Sequence, residues 1–176
     1  MLSGPEIERL VNAKQITIEP FTPAKIQPNS YDLTLGGTMA RCVPNRPGYD
    51  LIDLADQGRV VFDVPIIGGA FHLDPHKVYL AHTNEVVGSD YYAPMLHGRS
   101  SVARHGVAVH ITAGFGDVGW YGQFVLEVIN HNPYPVLLPI GARICQISWE
   151  PVTGELLPYA STYQDQRGIR PSKGIV

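Results

Sequence analysis

Cysteine is nearly absent from this 176-residue chain: Cys42 and Cys145 lie far apart, with no C-x-x-C spacing. The expectation is two reduced, buried thiols in a cytoplasmic protein. Long apolar runs are missing as well. None approaches the ~18 residues that a membrane span needs, and the N-terminus MLSGPEIERL has neither the charged start nor the apolar core of a signal peptide. Positive charge is not in excess: 13 Lys and Arg stand against 16 Asp and Glu, a net charge of −3 with a pI near 6.1. That balance argues against a general nucleic-acid binder, which carries a basic surplus. Internal repeats and low-complexity segments are also lacking, so the length and the 44% hydrophobic content describe one globular domain.

What the chain does have is strand and turn formers. Gly 18 and Pro 15 are high for a helical protein, and Tyr 9 with many Val and Ile leans toward strands. One helix is expected over roughly 4–13, where Ile7, Leu10 and Val11 share a face. Ser3 and Glu6 have capping-box spacing, and Leu2 and Ile7 are placed as a hydrophobic staple. Beyond it YDLTL, RVVF, KVYLAHT, VAVHIT, QFVLEVIN and ARICQISWE read as strands, divided by turn signals such as QPNS, LDPH, HNPYP and LPIGA. The fold class is therefore mainly β, an antiparallel sandwich or jelly-roll-like barrel. From Tyr159 onward the tail is polar and cationic without an apolar period, either a frayed end or an arm that orders over a ligand or a neighbour.

Three stretches carry candidate chemistry. GRSSVARHG (98–106) concentrates two arginines and two serines in a chain that is 16% charged, which on a mildly acidic protein points to a small anionic ligand. AGFGDVGWYG (113–122) has four glycines around Asp117 and suits close approach of backbone to a small planar group. In FVLEVIN, alternation puts Val125, Glu127 and Ile129 on one face and Phe124, Leu126 and Val128 on the other. Glu127 is the lone charge of an apolar run, and burial there would raise its pKa toward that of a useful proton donor and acceptor. Taken singly, each stretch also fits an ordinary turn, an exposed hairpin or a Glu paired with an arginine.

Taken in order, IQPNSYDLTLG (26–36), GRSSVARHG (98–106), HITAGFGDVGWYGQFVLEVIN (110–130), LPIGARICQISWE (138–150) and TYQDQRGIRPSK (162–173) resemble the dCTP deaminase family, which shares its fold with the trimeric dUTPases. The resemblance spans nearly the whole chain. It implies a distorted dUTPase-like jelly-roll or β-barrel with a short N-terminal helix, over 1–158, and a C-terminal arm, 159–176, that closes over the nucleotide. It also implies a homotrimer with sites between subunits, dTTP as feedback inhibitor, and Mg²⁺ held mainly by the substrate phosphates rather than by protein side chains. By the same resemblance Arg99, Ser100, Ser101, Val102, Ala103 and Arg104 line the nucleotide site. Glu127 shuttles protons while water attacks C4 of cytosine and ammonia leaves. Ser100 and Arg104 hold that water and Glu127 in line, and the backbone at Ala113 meets base and water. Val125 and Leu126 lie beside the base, Asp117 lies near the sugar, and Tyr159 and Gln166 close from the tail. Zinc deaminases carry H-x-E and P-C-x-x-C; HTNE (82–85) has the wrong spacing and no cysteine pair follows, so no catalytic zinc is expected. Of the seven scattered histidines, His110 beside the loop is the one of interest.

This chain departs from the family at two places. Thr162 stands before Tyr163 where the family tail has a lysine that helps hold the triphosphate, leaving Arg167, Arg170 or Lys173 to supply the charge. Gly116 and Val118 flank Asp117 where the family shows a branched apolar residue and a small residue or proline. One family branch releases dUTP; the other goes on to dUMP and diphosphate, with the loop aspartate activating a second water. Gly114 after TA, where the deaminase-only branch tends to carry a bulky residue, favours the dUMP-forming branch. The alternatives are a dUTP-releasing deaminase, a deaminase of dCMP or of a modified cytosine nucleotide, and a dUTPase or nucleotide-binding relative without deamination.

Overall fold

The computed structural model describes residues 1–46 and 48–175. Helix α1 covers Gly4–Asn12, and short helix α2 covers Ser100–Ala103. The strands in chain order are β1 Thr17–Glu19, β2 Ile26–Gln27, β3 Ser30–Val43, β4 Arg59–Val61, β5 Ile66–Ile67, β6 Ala70–Leu73, β7 Val78–Thr83, β8 Val86–Gly88, β9 Tyr92–Gly98, β10 Val107–Ala108, β11 Tyr121–Gly122, β12 Val125–Asn130, β13 Val136–Pro139 and β14 Arg143–Pro151.

The helix forms where its apolar spacing predicts, burying Ile7 and Leu10 against the sheet. Its start differs from the expectation. Ser3 is the N-cap but makes no side-chain cap bond, and Glu6 turns to Arg9 instead of back to Ser3, with Arg9 Nη2 at 2.6 Å from Glu6 Oε1. The helix ends in a Schellman pattern: Gln15 N–H donates to Leu10 O at 2.9 Å and Lys14 N–H to Val11 O at 3.0 Å, with Lys14 at φ 57°.

The main sheet is antiparallel in the order β10-β12-β7-β3-β14-β9, with β2 and β4 also paired to β3. Two three-stranded sheets, β1-β8-β11 and β13-β6-β5, complete a nearly closed β architecture. The core runs through the centre of these layers: Tyr31, Leu33, Leu35, Leu126, Val128, Ile147 and Trp149 are fully buried. Each such aliphatic side chain contributes about 1.5–3 kcal/mol relative to exposure. VAVHIT yields only the two residues of β10, which pair Val107 with Asn130 and Ala108 with Ile129 before the chain leaves the ladder. Strand β9 contains Pro94, which is tolerated because β9 ends the main sheet and the Pro94 carbonyl faces the outer edge, where it accepts from Gly116 N–H at 2.8 Å. Among the described residues no helix is long and apolar enough to cross a membrane.

Candidate functional site

Strand β12 has two unlike faces. Leu126, Val128 and Asn130 are fully buried, whereas Val125, Glu127 and Ile129 are half-buried on the opposite side. Val125 and Glu127 open on a cleft of about 690 Å³. Strand β7 adds Val78 and Leu80, and β4 with its neighbours adds Cys42, Ile52, Leu54, Arg59 and Val60. The glycine-rich loop contributes Ala113, Phe115 and Asp117, and the tail contributes Tyr159, Tyr163, Gln166 and Arg170.

Glu127 has no cationic partner among the described residues. Its Oε2 accepts the Ile111 N–H at 3.3 Å, the amide that a continued β10 would have spent on the sheet. Burial lifts its pKa above the usual carboxylate value of 4.5, while the Ile111 N–H, its own N–H and the nearby His110 pull it partly back. The His110 imidazole is half-buried and its Nδ1 is enclosed without a hydrogen-bond partner. Cys42, on the same cleft, has its thiol pushed up by burial first and by Glu127 second, which keeps it protonated and poorly nucleophilic.

The loop that carries Ala113 and Asp117 is pinned to the outer edge of β9. Leu96 N–H donates to Gly114 O at 2.6 Å, Gly116 N–H donates to Pro94 O at 2.8 Å, and Met95 bridges Phe115. A Cβ at Gly114 would lie 2.6 Å from the Leu96 carbonyl oxygen. Glycine is required there by the close approach of the two backbones. Asp117 is exposed and points to the cleft beside this anchored segment.

The tail is docked on the body of the protein. Tyr159 N–H donates to Val118 O at 2.8 Å, Trp120 Nε1 donates to Tyr163 O at 2.7 Å, and Asp165 N–H donates to Tyr121 O at 2.9 Å. Gln166 is 6% exposed and exchanges bonds with Gln123, its Nε2 donating to Gln123 O at 2.8 Å and its carbonyl accepting the Gln123 N–H at 3.0 Å. Further on, Gly58 N–H reaches Ser172 O at 2.7 Å and Ile175 N–H reaches Leu54 O at 3.0 Å, so tail and loop cover the cleft together. Of the three cations that could replace the tail lysine, Arg170 is the one on the cleft, with Nη1 donating to Thr162 O at 3.3 Å.

One chain therefore gathers Ala113, Asp117, Val125, Glu127, Tyr159 and Gln166 into one cleft. Leu126 sends its side chain into the core, leaving only its backbone for a ligand. Arg99, Ser100, Ser101, Val102, Ala103 and Arg104 do not line this cleft; Arg99, Val102 and Ala103 border a separate hollow of about 120 Å³ with His110. Ser100 and Arg104 are exposed, and among the described residues their side chains have no hydrogen-bond partner. Sequence reasoning missed the apolar wall from Cys42, Ile52, Leu54 and Val60: Ile52 and Leu54 sit in a Pro- and Asp-rich connection without period, and Cys42 and Val60 join them only through the pairing of β3 with β4.

Residues 1–152 match the model of a family described as dCTP deaminase-like. The chain is similar to the protein named dCTP deaminase, dUMP-forming, of Clostridium beijerinckii, 40% identical over 174 residues that cover 98% of this chain and 95% of that one. The protein of the same name from Cytophaga hutchinsonii is 38% identical over 175 residues, with the same coverage. Among solved structures, 2'-deoxycytidine 5'-triphosphate deaminase from Agrobacterium tumefaciens superposes with a TM-score of 0.64 at 19% identity, covering 86% of this chain and 48% of that chain, a likeness of fold.

Proposed function

Because the chain belongs to the dCTP deaminase-like family, we propose that it deaminates the cytosine of dCTP and cleaves the product to dUMP and diphosphate, a step of pyrimidine deoxynucleotide metabolism. The observation that carries this reading is Glu127: a carboxylate raised by burial, without a cationic partner, facing an apolar cleft beside Ala113 and Asp117. A proton shuttle needs that poise, since it must take a proton from water and give it up again near neutral pH.

Water attacks C4 of the base and loses its proton to Glu127. The same carboxyl delivers that proton to N3, then takes the remaining proton of the C4 hydroxyl and hands it to the amino group, and ammonia leaves as the C4 carbonyl forms. Asp117, exposed on the other part of the loop, then activates a second water toward the α-phosphate, and diphosphate departs. Val125, Phe124 and Trp120 give the base an apolar seat, and Tyr159 and Gln166 belong to the arm, 159–176, that closes over the 1–158 body and the bound nucleotide; Val176 of that arm lies outside the described residues.

Ser100 and Arg104, exposed and without a side-chain hydrogen bond among the described residues, complete the cleft of a second copy, and the working unit is a homotrimer with intersubunit sites. Arg99 and Ser101 meet phosphates there. Mg²⁺ would be carried by phosphate oxygens and water rather than by protein side chains. Bound in that way, the ion neutralises phosphate charge. dTTP, with the same triphosphate and a pyrimidine ring, competes for the site, and the enzyme works in the cytoplasm.

The test is incubation of the full chain with dCTP and Mg²⁺, following ammonia and resolving dUMP from dUTP. Ammonia with dUMP supports the reading; ammonia with dUTP alone leaves a simple deaminase, and no ammonia overturns it. Asp117→Asn is expected to slow diphosphate release by about 10²-fold or more while ammonia still forms.

A further inference from the structure

Asp32 is fully buried in the middle of the main sheet, yet two arginines converge on it. Arg99 Nε stands 3.1 Å from Oδ1, and Arg143 Nη1 stands 3.4 Å from Oδ2, which also accepts from Gln27 Nε2 at 3.2 Å. The Arg99 contact is an ion contact without hydrogen-bond alignment, since Oδ1 has no aligned donor. Arg99 Nη1 also donates to the Arg143 carbonyl at 3.1 Å, tying the two cations together.

The topology explains how they meet. Strands β3, β14 and β9 are neighbours, and Gln146 sits opposite Asp32. Strict alternation from Gln146 would send Arg143 to the other face, but a bulge between Arg143 and Cys145 brings it back over Asp32. A bulge that re-aims one side chain toward a buried carboxylate is a feature with a purpose.

The charges do not balance. One carboxylate below faces two guanidiniums above, whose side chains are 27% and 42% exposed. Among the described residues, the Nη2 groups of both arginines lack a protein partner. Two partly exposed guanidiniums held side by side over one carboxylate, with donors to spare, fit a tetrahedral oxyanion.

We propose that Arg143 is a phosphate-binding residue that acts with Arg99 on the diphosphate end of the nucleotide, and that Asp32 is the positioning residue that holds both guanidiniums. This rests on the reading above, in which Arg99 meets substrate phosphates. It adds Arg143 and Asp32, which lie outside GRSSVAR, and explains how a strand-end arginine is kept aimed.

The experiment compares Arg143→Ala, Arg143→Lys and Asp32→Asn with the wild-type full chain, measuring KM and kcat for dCTP with Mg²⁺, and binding of inorganic diphosphate by calorimetry. Loss of a charge-assisted contact predicts a KM rise of about tenfold or more in Arg143→Ala, a smaller loss in kcat, and diphosphate binding weakened to a similar degree. Arg143→Lys recovers part of the binding, as a point charge without the fork. Asp32→Asn shifts KM in the same direction; should it not fold, the partly exposed Arg143 variants still decide. KM and diphosphate affinity within about twofold of wild type in Arg143→Ala overturn the proposal. If that happens while wild type still releases ammonia, only this inference falls. If wild type releases no ammonia from dCTP, the deaminase reading falls, and the diphosphate titration still decides whether the two arginines form an oxyanion site.

Discussion

The surroundings of Glu127 work against its ionisation. Burial raises its pKa above 4.5, and the Ile111 N–H at 3.3 Å and the nearby His110 only partly offset it. The fold therefore favours the protonated form. That stabilisation is complete below the unfolded glutamate value of about 4.3 and is lost as pH rises through the higher folded value. Glu127→Gln removes the penalty, so its melting temperature exceeds that of wild type at about pH 7.5 and converges on it near pH 4. Lower stability of the variant at the higher pH would contradict the burial argument. In activity, Glu127→Gln abolishes ammonia release while dCTP still binds, and the acid limb of the wild-type kcat/KM profile lies above the value of an ordinary glutamate. Retained turnover would remove Glu127 from its role. The position was legible in sequence because the period-two pattern of FVLEVIN sets its face. Its hydrogen bond to Ile111 was not, since it depends on where β10 leaves the sheet. Arg143 was equally hidden: only a bulge, which no local pattern announced, turns it toward Asp32.

At the scale of elements, the glycine-rich loop and β9 form one unit. A methyl at Gly114 would sit 2.6 Å from the Leu96 carbonyl oxygen, so Gly114→Ala must lift the loop from the strand. Overpacking of this kind costs about 1–3 kcal/mol, or a fall in melting temperature of about 2–10 °C for a chain of this size. Activity should fall with it, because Ala113 and Asp117 move with the segment; an unshifted melt with full activity would show that the contact is dispensable. Strand β9 itself escaped sequence reading because Pro94 interrupts YAPMLHG, and a central proline ordinarily argues against a strand. The exception is an edge effect that needs the sheet order to be known. Helix α1 was readable from its apolar spacing, whereas the capping box was not formed, and Glu6 pairs with Arg9 instead.

For the molecule as a whole, the tail is a wall of the cleft. Its bonds to Val118, Gly119, Tyr121 and Gln123, and those of its last residues to Leu54 and Gly58, join segments far apart in sequence. Truncation after Pro158 is expected to leave the β body folded and to raise KM for dCTP by about tenfold or more, since binding surface is lost while Glu127 remains. An unchanged KM would make the tail a bystander. The chain order of the motifs was enough to place the family, yet the separation of GRSSVAR from the Glu127 cleft within one chain emerged only from the three-dimensional arrangement.

The seating of residues 114–116 on β9 has a further consequence. An open sheet edge is a template for pairing with foreign strands, and here the segment that positions Ala113 and Asp117 occupies that edge. Changes made in the loop to widen substrate scope would uncover the Pro94 carbonyl and the Leu96 N–H. Variants altered for specificity at this loop should therefore be screened for aggregation alongside turnover.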